Sequence, residues 1–206
     1  SFYKKQTFPI LHLPTYPFEK KAYWIDNNTS SKTTKPIAPL LDQNISTFES
    51  QVFKTTFTKN TPYFTDHLLN SQSIVPATLF LEMSRSAAEV SLPKQHVMSL
   101  NNIAFPQPCL ISNPTTSVIT TLKKEATTIS FNITLESDHN HCFSQGYISL
   151  NKHLTTPTAL PIESIIKRCP NHQSGDACYA LLNQTQLTLG PYFQCLNDLY
   201  FNEKET

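Results

Sequence analysis

The order of patterns along this chain predicts an α+β domain, an antiparallel sheet wrapped around a central helix. A strongly apolar helix comes early, directly behind Pro76. Several later segments alternate apolar and polar residues at a period of two. No helical period separates those segments, as a sheet covered by helices on both faces would require.

Residues 1–36 carry Pro9, Pro14 and Pro17 among aromatics, then a polar tract over 26–35, the composition of an extended surface connector. Its Tyr16, Phe18, Tyr23 and Trp24 are expected to need a neighbouring domain to bury them. From Pro39 the texture turns to strands. Over 51–57, Phe53, Thr55 and Phe57 alternate with Val52, Lys54 and Thr56; over 128–135, Ile129, Phe131, Ile133 and Leu135 make the clearest strand face in the chain. Residues 117–122 are β-branched and run into Lys123, Lys124 and Glu125, which read as a hairpin turn, and 143–150 adds a strand with Gly146 at a bulge or close approach. A polar connector over 151–161 precedes a short helical turn at Ile162, Ile165 and Ile166. Ser174 to Asp176 can cap a further helix through Tyr179, Leu181 and Leu182, and Gly190 and Pro191 break the chain before an element over 192–201. An enclosed helix followed by antiparallel strands is the order of a hot-dog fold.

The central helix explains the interest of what precedes it. Pro76 suits a first helical turn, and Phe80, Leu81, Ser84, Ala87 and Ala88 recur at three and four residues, widened by Leu79 and Met83. Glu82, Arg85 and Glu89 hold the edge that meets water. Upstream of the helix mouth stands His67. A helix start offers unpaired amides and the positive end of the dipole, both suited to a carbonyl oxygen gaining charge, and an imidazole can take a proton at neutral pH. Together they are a minimal site for removing a proton beside a thioester carbonyl. Asp66 reads as a polar turn residue and not a partner of His67, because adjacent side chains on an extended segment point to opposite faces.

Composition excludes other classes. A net charge of +1 with 15% charged residues provides no field to gather nucleic acid or anionic lipid. Three glycines leave no phosphate-cradling loop and no G-x-S-x-G elbow. No apolar run reaches membrane-spanning length and no signal peptide opens the sequence, so the expected location is cytoplasmic. Cys109, Cys142, Cys169, Cys178 and Cys195 are odd in number without Cys-x-x-Cys pairs, which fits reduced thiols. No metal is expected: His139, His141 and Cys142, at a loop tip, and Cys169, His172 and Cys178, in a connector, lack a fourth ligand at zinc-finger spacing.

Three ordered signatures resemble the dehydratase domains of modular polyketide synthases. His67, Ser71 and Pro76 occupy the fixed positions of H-x-x-x-G-x-x-x-x-P, and Pro76 to Glu82 follows the family's Pro-Gly-x-x-[FY]-[LV]-E. Leu189, Gly190, Pro191, Tyr192, Phe193 and Gln194 match Tyr-Gly-Pro-x-Phe-Gln, and Leu13 to Phe18 with Tyr23 and Trp24 matches the linker before such domains. The resemblance implies a bacterial-type synthase domain, a carbon–oxygen lyase that removes water from a β-hydroxyacyl thioester to give an α,β-unsaturated product. The substrate would ride on the phosphopantetheine of an acyl carrier protein, with no cofactor bound directly. It further implies a ketosynthase neighbour, a homodimeric synthase, and a double hot dog of which this chain holds the first half. The expected division is a linker over 1–36, the N-terminal hot dog over 37–150, a connector over 151–175, and the incomplete start of the second hot dog over 176–206. The carried-over roles are His67 as general base, the Ala77 amide as oxyanion donor, and Ser71, Pro76, Leu189, Gly190, Pro191 and Phe193 as pocket residues. The acid, an Asp of the second hot dog, falls in no motif of this sequence, so the fragment alone is expected to be inert. Ser71 for Gly and Leu189 for Tyr depart from the pattern, and they leave open an inactive scaffold domain or a double-bond isomerase.

Overall fold

The computed structural model describes residues 36–125, 128–151 and 159–204. The predicted linker with its Tyr16, Phe18, Tyr23 and Trp24, and residues 152–158 of the polar connector, lie outside them. The described chain begins with β1 (Gln43–Asn44), β2 (Gln51–Thr58), a single turn α1 (Pro62–Thr65), and the short hairpin β3 (His67–Leu69) and β4 (Gln72–Ser73). The central helix α2 (Ala77–Ser91) follows, then β5 (His96–Ala104), β6 (Thr115–Lys124), β7 (Ile129–Leu135) and β8 (Asp138–Asn151). The remainder is α3 (Ile162–Arg168), β9 (Asn171–Ser174), α4 (Gly175–Leu182), β10 (Leu187–Leu189), a 3₁₀ turn at Pro191–Phe193, and β11 (Asp198–Phe201).

Strands β1, β2, β6, β7, β8 and β5 lie in that order in one sheet, and every pairing is antiparallel. Period-two alternation puts Phe53, Val118, Ile133 and Ile148 on the face turned to α2, all fully buried. From the helix come Phe80, Met83, Ser84, Ala87 and Ala88, with Met83 at the buried centre and Leu81 only half-buried. Phe80 stacks on Phe143 with ring centroids 6.1 Å apart. Each large apolar side chain so enclosed contributes about 1.5–3 kcal/mol relative to exposure. This is the hot-dog arrangement the sequence predicts, in an antiparallel sheet with few helices. No helix among the described residues is long and apolar enough to cross a membrane.

Three local readings need correction. Lys123 and Lys124 are the end of β6, paired with Ser130 and Ile129, and the reversal comes after them, where Glu125 N–H donates to the Thr128 carbonyl at 2.9 Å. His139, His141 and Cys142 stand in β8 and not at a loop tip: His139 Nδ1 lies 3.3 Å from Thr134 Oγ1, and the Cys142 thiol donates to Asn132 Oδ1 at 3.0 Å. His172 lies in β9 beside Asp198 of β11, 2.7 Å away. Gly146 is the close approach expected there, and the register shift of β5 between Asn101 and Ala104 falls opposite it. A Cβ there would stand 2.9 Å from the Phe131 ring and 3.0 Å from the Asn101 carbonyl. Against β7 the register of β8 shifts between Ile133 and Leu135.

Candidate active site

The hairpin β3–β4 sets His67 in place. Its reversal is carried by Asn70 and Ser71, both at positive φ, 50° and 63°, the left-handed pair of a tight two-residue turn in which Asn-Gly is the favoured sequence. Ser71 therefore sits where glycine would be unstrained, at a cost of about 1 kcal/mol. The β3–β4 register, with Leu68 opposite Ser73, makes Ile74 the next residue opposite His67. Ile74 N–H donates to the His67 carbonyl at 3.2 Å, and the His67 ring answers with Nδ1 at 3.1 Å from the Ile74 carbonyl. A carbonyl only accepts, so Nδ1 must carry the proton and Nε2 holds the lone pair of the neutral ring. The backbone thereby selects the tautomer able to accept a proton at Nε2.

The same segment delivers the helix mouth. Val75 N–H donates to the Cys109 carbonyl at 2.9 Å and Ile111 N–H to the Ser73 carbonyl at 2.9 Å, so residues 109–111 brace the approach to α2. Burial pushes the Cys109 thiol up to about 12 and keeps it a core residue. Pro76 is buried as the N-cap, φ −59° and ψ 135°, with no side chain capping the helix. Ala77 and Thr78 open it, and their amides have no partner within the helix.

The second wall comes from the far end of the chain. β10 pairs with β3, and Leu189 lies directly opposite His67, so the two side chains are cross-strand neighbours. A tyrosine at 189 would bring its hydroxyl beside the imidazole; leucine brings none. Phe193 sits against His67 with ring centroids 5.2 Å apart and planes inclined at 51°. Gly190 is half-buried and Pro191 exposed at the rim. Tyr63 of α1 meets Tyr192 edge-on at 5.3 Å, and the hydrogen bond to Tyr63 raises the Tyr192 phenol above its ordinary range.

Of the residues singled out in the sequence, His67, Ser71, Pro76 and Ala77 share one short segment, while Leu189, Gly190, Pro191 and Phe193 reach it through β10. Asp66 is the residue that sequence reasoning undervalued. It does not pair with His67, but the reason is not strand alternation: it closes α1 with φ −104° and ψ 8°, and its carboxylate turns to the 190–193 segment. A broad groove of about 470 Å³, lined by residues including Thr121, Asn132, His139 and Tyr147, opens on the sheet face turned away from α2, and His67 does not line it.

Comparison with known proteins bears on the family and the fold. Residues 38–136 match the family described as the polyketide synthase dehydratase domain. The chain is 30% identical over 209 residues to polyketide synthase PksM of Bacillus subtilis (strain 168), a match that covers 95% of this chain and 5% of PksM. To polyketide synthase PksN of the same organism it is 28% identical, covering 94% of this chain and 4% of PksN. The chain thus spans only a small fraction of the length of these relatives. Among solved structures, a trans-AT PKS dehydratase domain from Brevibacillus brevis superimposes with a TM-score of 0.71 at 27% identity, over 82% of this chain and 62% of that one.

Proposed function

This chain belongs to the polyketide synthase dehydratase domain family, a lyase-type enzyme domain, and from that premise we propose that His67 is the base that dehydrates a carrier-bound β-hydroxyacyl thioester. The observation that carries the reading is the bond from His67 Nδ1 to the carbonyl of Ile74, three residues before α2 begins, which leaves Nε2 as the proton acceptor of the neutral ring. In the proposed step, Nε2 removes the α-proton and the thioester oxygen gains negative charge. The Ala77 amide, at the positive end of a 15-residue helix, stabilises that oxygen. The enolate then re-forms the carbonyl as the β-carbon–oxygen bond breaks, and the departing hydroxyl leaves as water on receiving a proton from a protonated carboxyl group of the second hot dog, which becomes a carboxylate. Pro76, Gly190, Pro191 and Phe193 line the approach, with Ser71 at the turn and Leu189 beside the base.

The domain division that goes with this reading keeps 37–150 as the N-terminal hot dog and 176–206 as the start of the second, joined by 151–175 behind a linker over 1–36. The substrate arrives on the phosphopantetheine arm of an acyl carrier protein, and the domain works within a homodimeric, cytoplasmic synthase beside a ketosynthase. The acid falls in no motif of these 206 residues, and we propose that on their own they do not turn over the substrate.

The test is dehydration of a synthetic β-hydroxyacyl pantetheine by the full-length protein. We expect His67→Ala to lower turnover about 10²-fold or more; a variant as fast as the parent would remove His67 from the reaction. The Leu189 position favours a second reading, an inactive scaffold or an isomerase, since the residue facing the base offers no hydroxyl. A parent that moves a double bond or does nothing to the probe decides for it.

A further inference from the structure

Asp66 is fastened to a segment far along the chain by groups on both its backbone and its side chain. Its carbonyl accepts from Gly190 N–H at 2.8 Å, and its Oδ2 accepts from Tyr192 N–H at 2.9 Å, across 126 residues of sequence. The other oxygen takes the Thr65 hydroxyl at 3.2 Å. The fit also requires glycine at 190: a Cβ there would stand 2.5 Å from Asp66 Cγ and 2.8 Å from Oδ2. Immediately before this clamp, Leu189 pairs with His67; immediately after it, Phe193 lies against the His67 ring. Side chain, backbone and the missing Cβ therefore converge on one outcome, the placement of Phe193 beside the imidazole.

We propose that Asp66 is a positioning residue that acts through Phe193, fixing the second wall of the site against the imidazole of His67. The inference rests on the reading of His67 as the base. It assigns no proton to Asp66, whose oxygens are occupied by Tyr192 and Thr65. Its role is to keep the 190–193 segment in register with the base, and errors of about an ångström in such placement cost up to about 10²-fold in rate.

Two readouts test it. In the 206-residue chain, the His67 ring-proton resonances, assigned by their disappearance in His67→Ala, should carry the ring-current displacement of Phe193 and lose it in Phe193→Leu. Asp66→Ala and Gly190→Ala should each abolish at least about half of that displacement, whereas Asp66→Asn, which keeps an acceptor for Tyr192 N–H, should retain most of it. In the full-length protein, Asp66→Ala should lower kcat about 10- to 100-fold with KM within about two-fold, and Asp66→Asn should recover most of the rate. His67 signals unmoved by Asp66→Ala overturn the proposal whatever the rate does. Signals that move in a parent unable to dehydrate the probe support the placement and sink the functional reading instead.

Discussion

The two ends of the described chain relate to water in opposite ways. Around α2, Phe53, Met83, Ile133 and Ile148 are fully buried, and the sheet closes over the helix by its own side chains. From residue 159 onward only Cys169 and Gly175 are buried among the described residues, while Leu160, Ile162 and Leu181 stand 74%, 65% and 54% exposed. His67 thus stands in sequence between two residues of that core, Phe64 and Val75. The wall facing it is held through the β10–β3 pairing and Asp66, with almost no core of its own. The two halves of the site differ in what supports them.

The largest test of that contrast is a pair of truncations. Phe131→Ala should cost about 3–5 kcal/mol, read as a fall in urea midpoint, because its ring fills the space under Gly146. Leu181→Ala should stay within about 0.5 kcal/mol, as exposed substitutions do. Equal losses would show that the second region carries a core after all. A smaller effect sharpens the hairpin. Ser71→Gly relieves a left-handed serine and should raise stability by under about 1 kcal/mol, since glycine's freedom in the unfolded chain offsets part of the gain. A fall in midpoint would contradict the strain assigned to that turn.

The smallest effect is electrostatic. Arg85 donates to Glu82 at 2.7 Å and to Glu89 at 2.6 Å, and its hydrogen bond holds the Glu82 carboxyl below 4.5, against a partial opposing effect of burial. A depressed carboxylate contributes stability above its unfolded value and loses it as the pH falls through the folded one. Both partners are largely solvated, so the contribution is a few tenths of a kcal/mol. The midpoint difference between the parent and Arg85→Gln should therefore be present at pH 7 and shrink below about pH 4.5. A difference unchanged down to pH 3 would mean that Arg85 acts by packing alone.

What the sequence disclosed follows the same division. The helix behind Pro76 and the strand at 129–135 were legible because one face of each is buried, and burial imposes a period. The strand β5 was not, because it is an edge strand with two register shifts and a half-exposed pattern that never alternates. The hairpin β3–β4 was hidden by its turn: Asn-Ser stands where Asn-Gly would have announced it. Asp66 looked like a polar turn residue because its partners lie 126 residues away, and no local period records so distant a contact. The motif residues His67 and Gly190 were found through family likeness. The structure supplies the physical reason for the glycine, the Asp66 carboxyl lying where a Cβ would be.

The reciprocal bonds between His67 and Ile74 have a consequence for how such domains diversify. The ring and its tautomer are set by bonds within residues 67–74, the approach to α2 is braced by 109–111, and β10 with Phe193 meets the same ring from the far end of the chain. Recombination that exchanges the front part of the domain therefore carries the His67 ring together with the carbonyl that sets its tautomer. The graft point to watch is the seam with residues 187–193, where a mismatched donor would inherit the histidine and misplace the residues that face it.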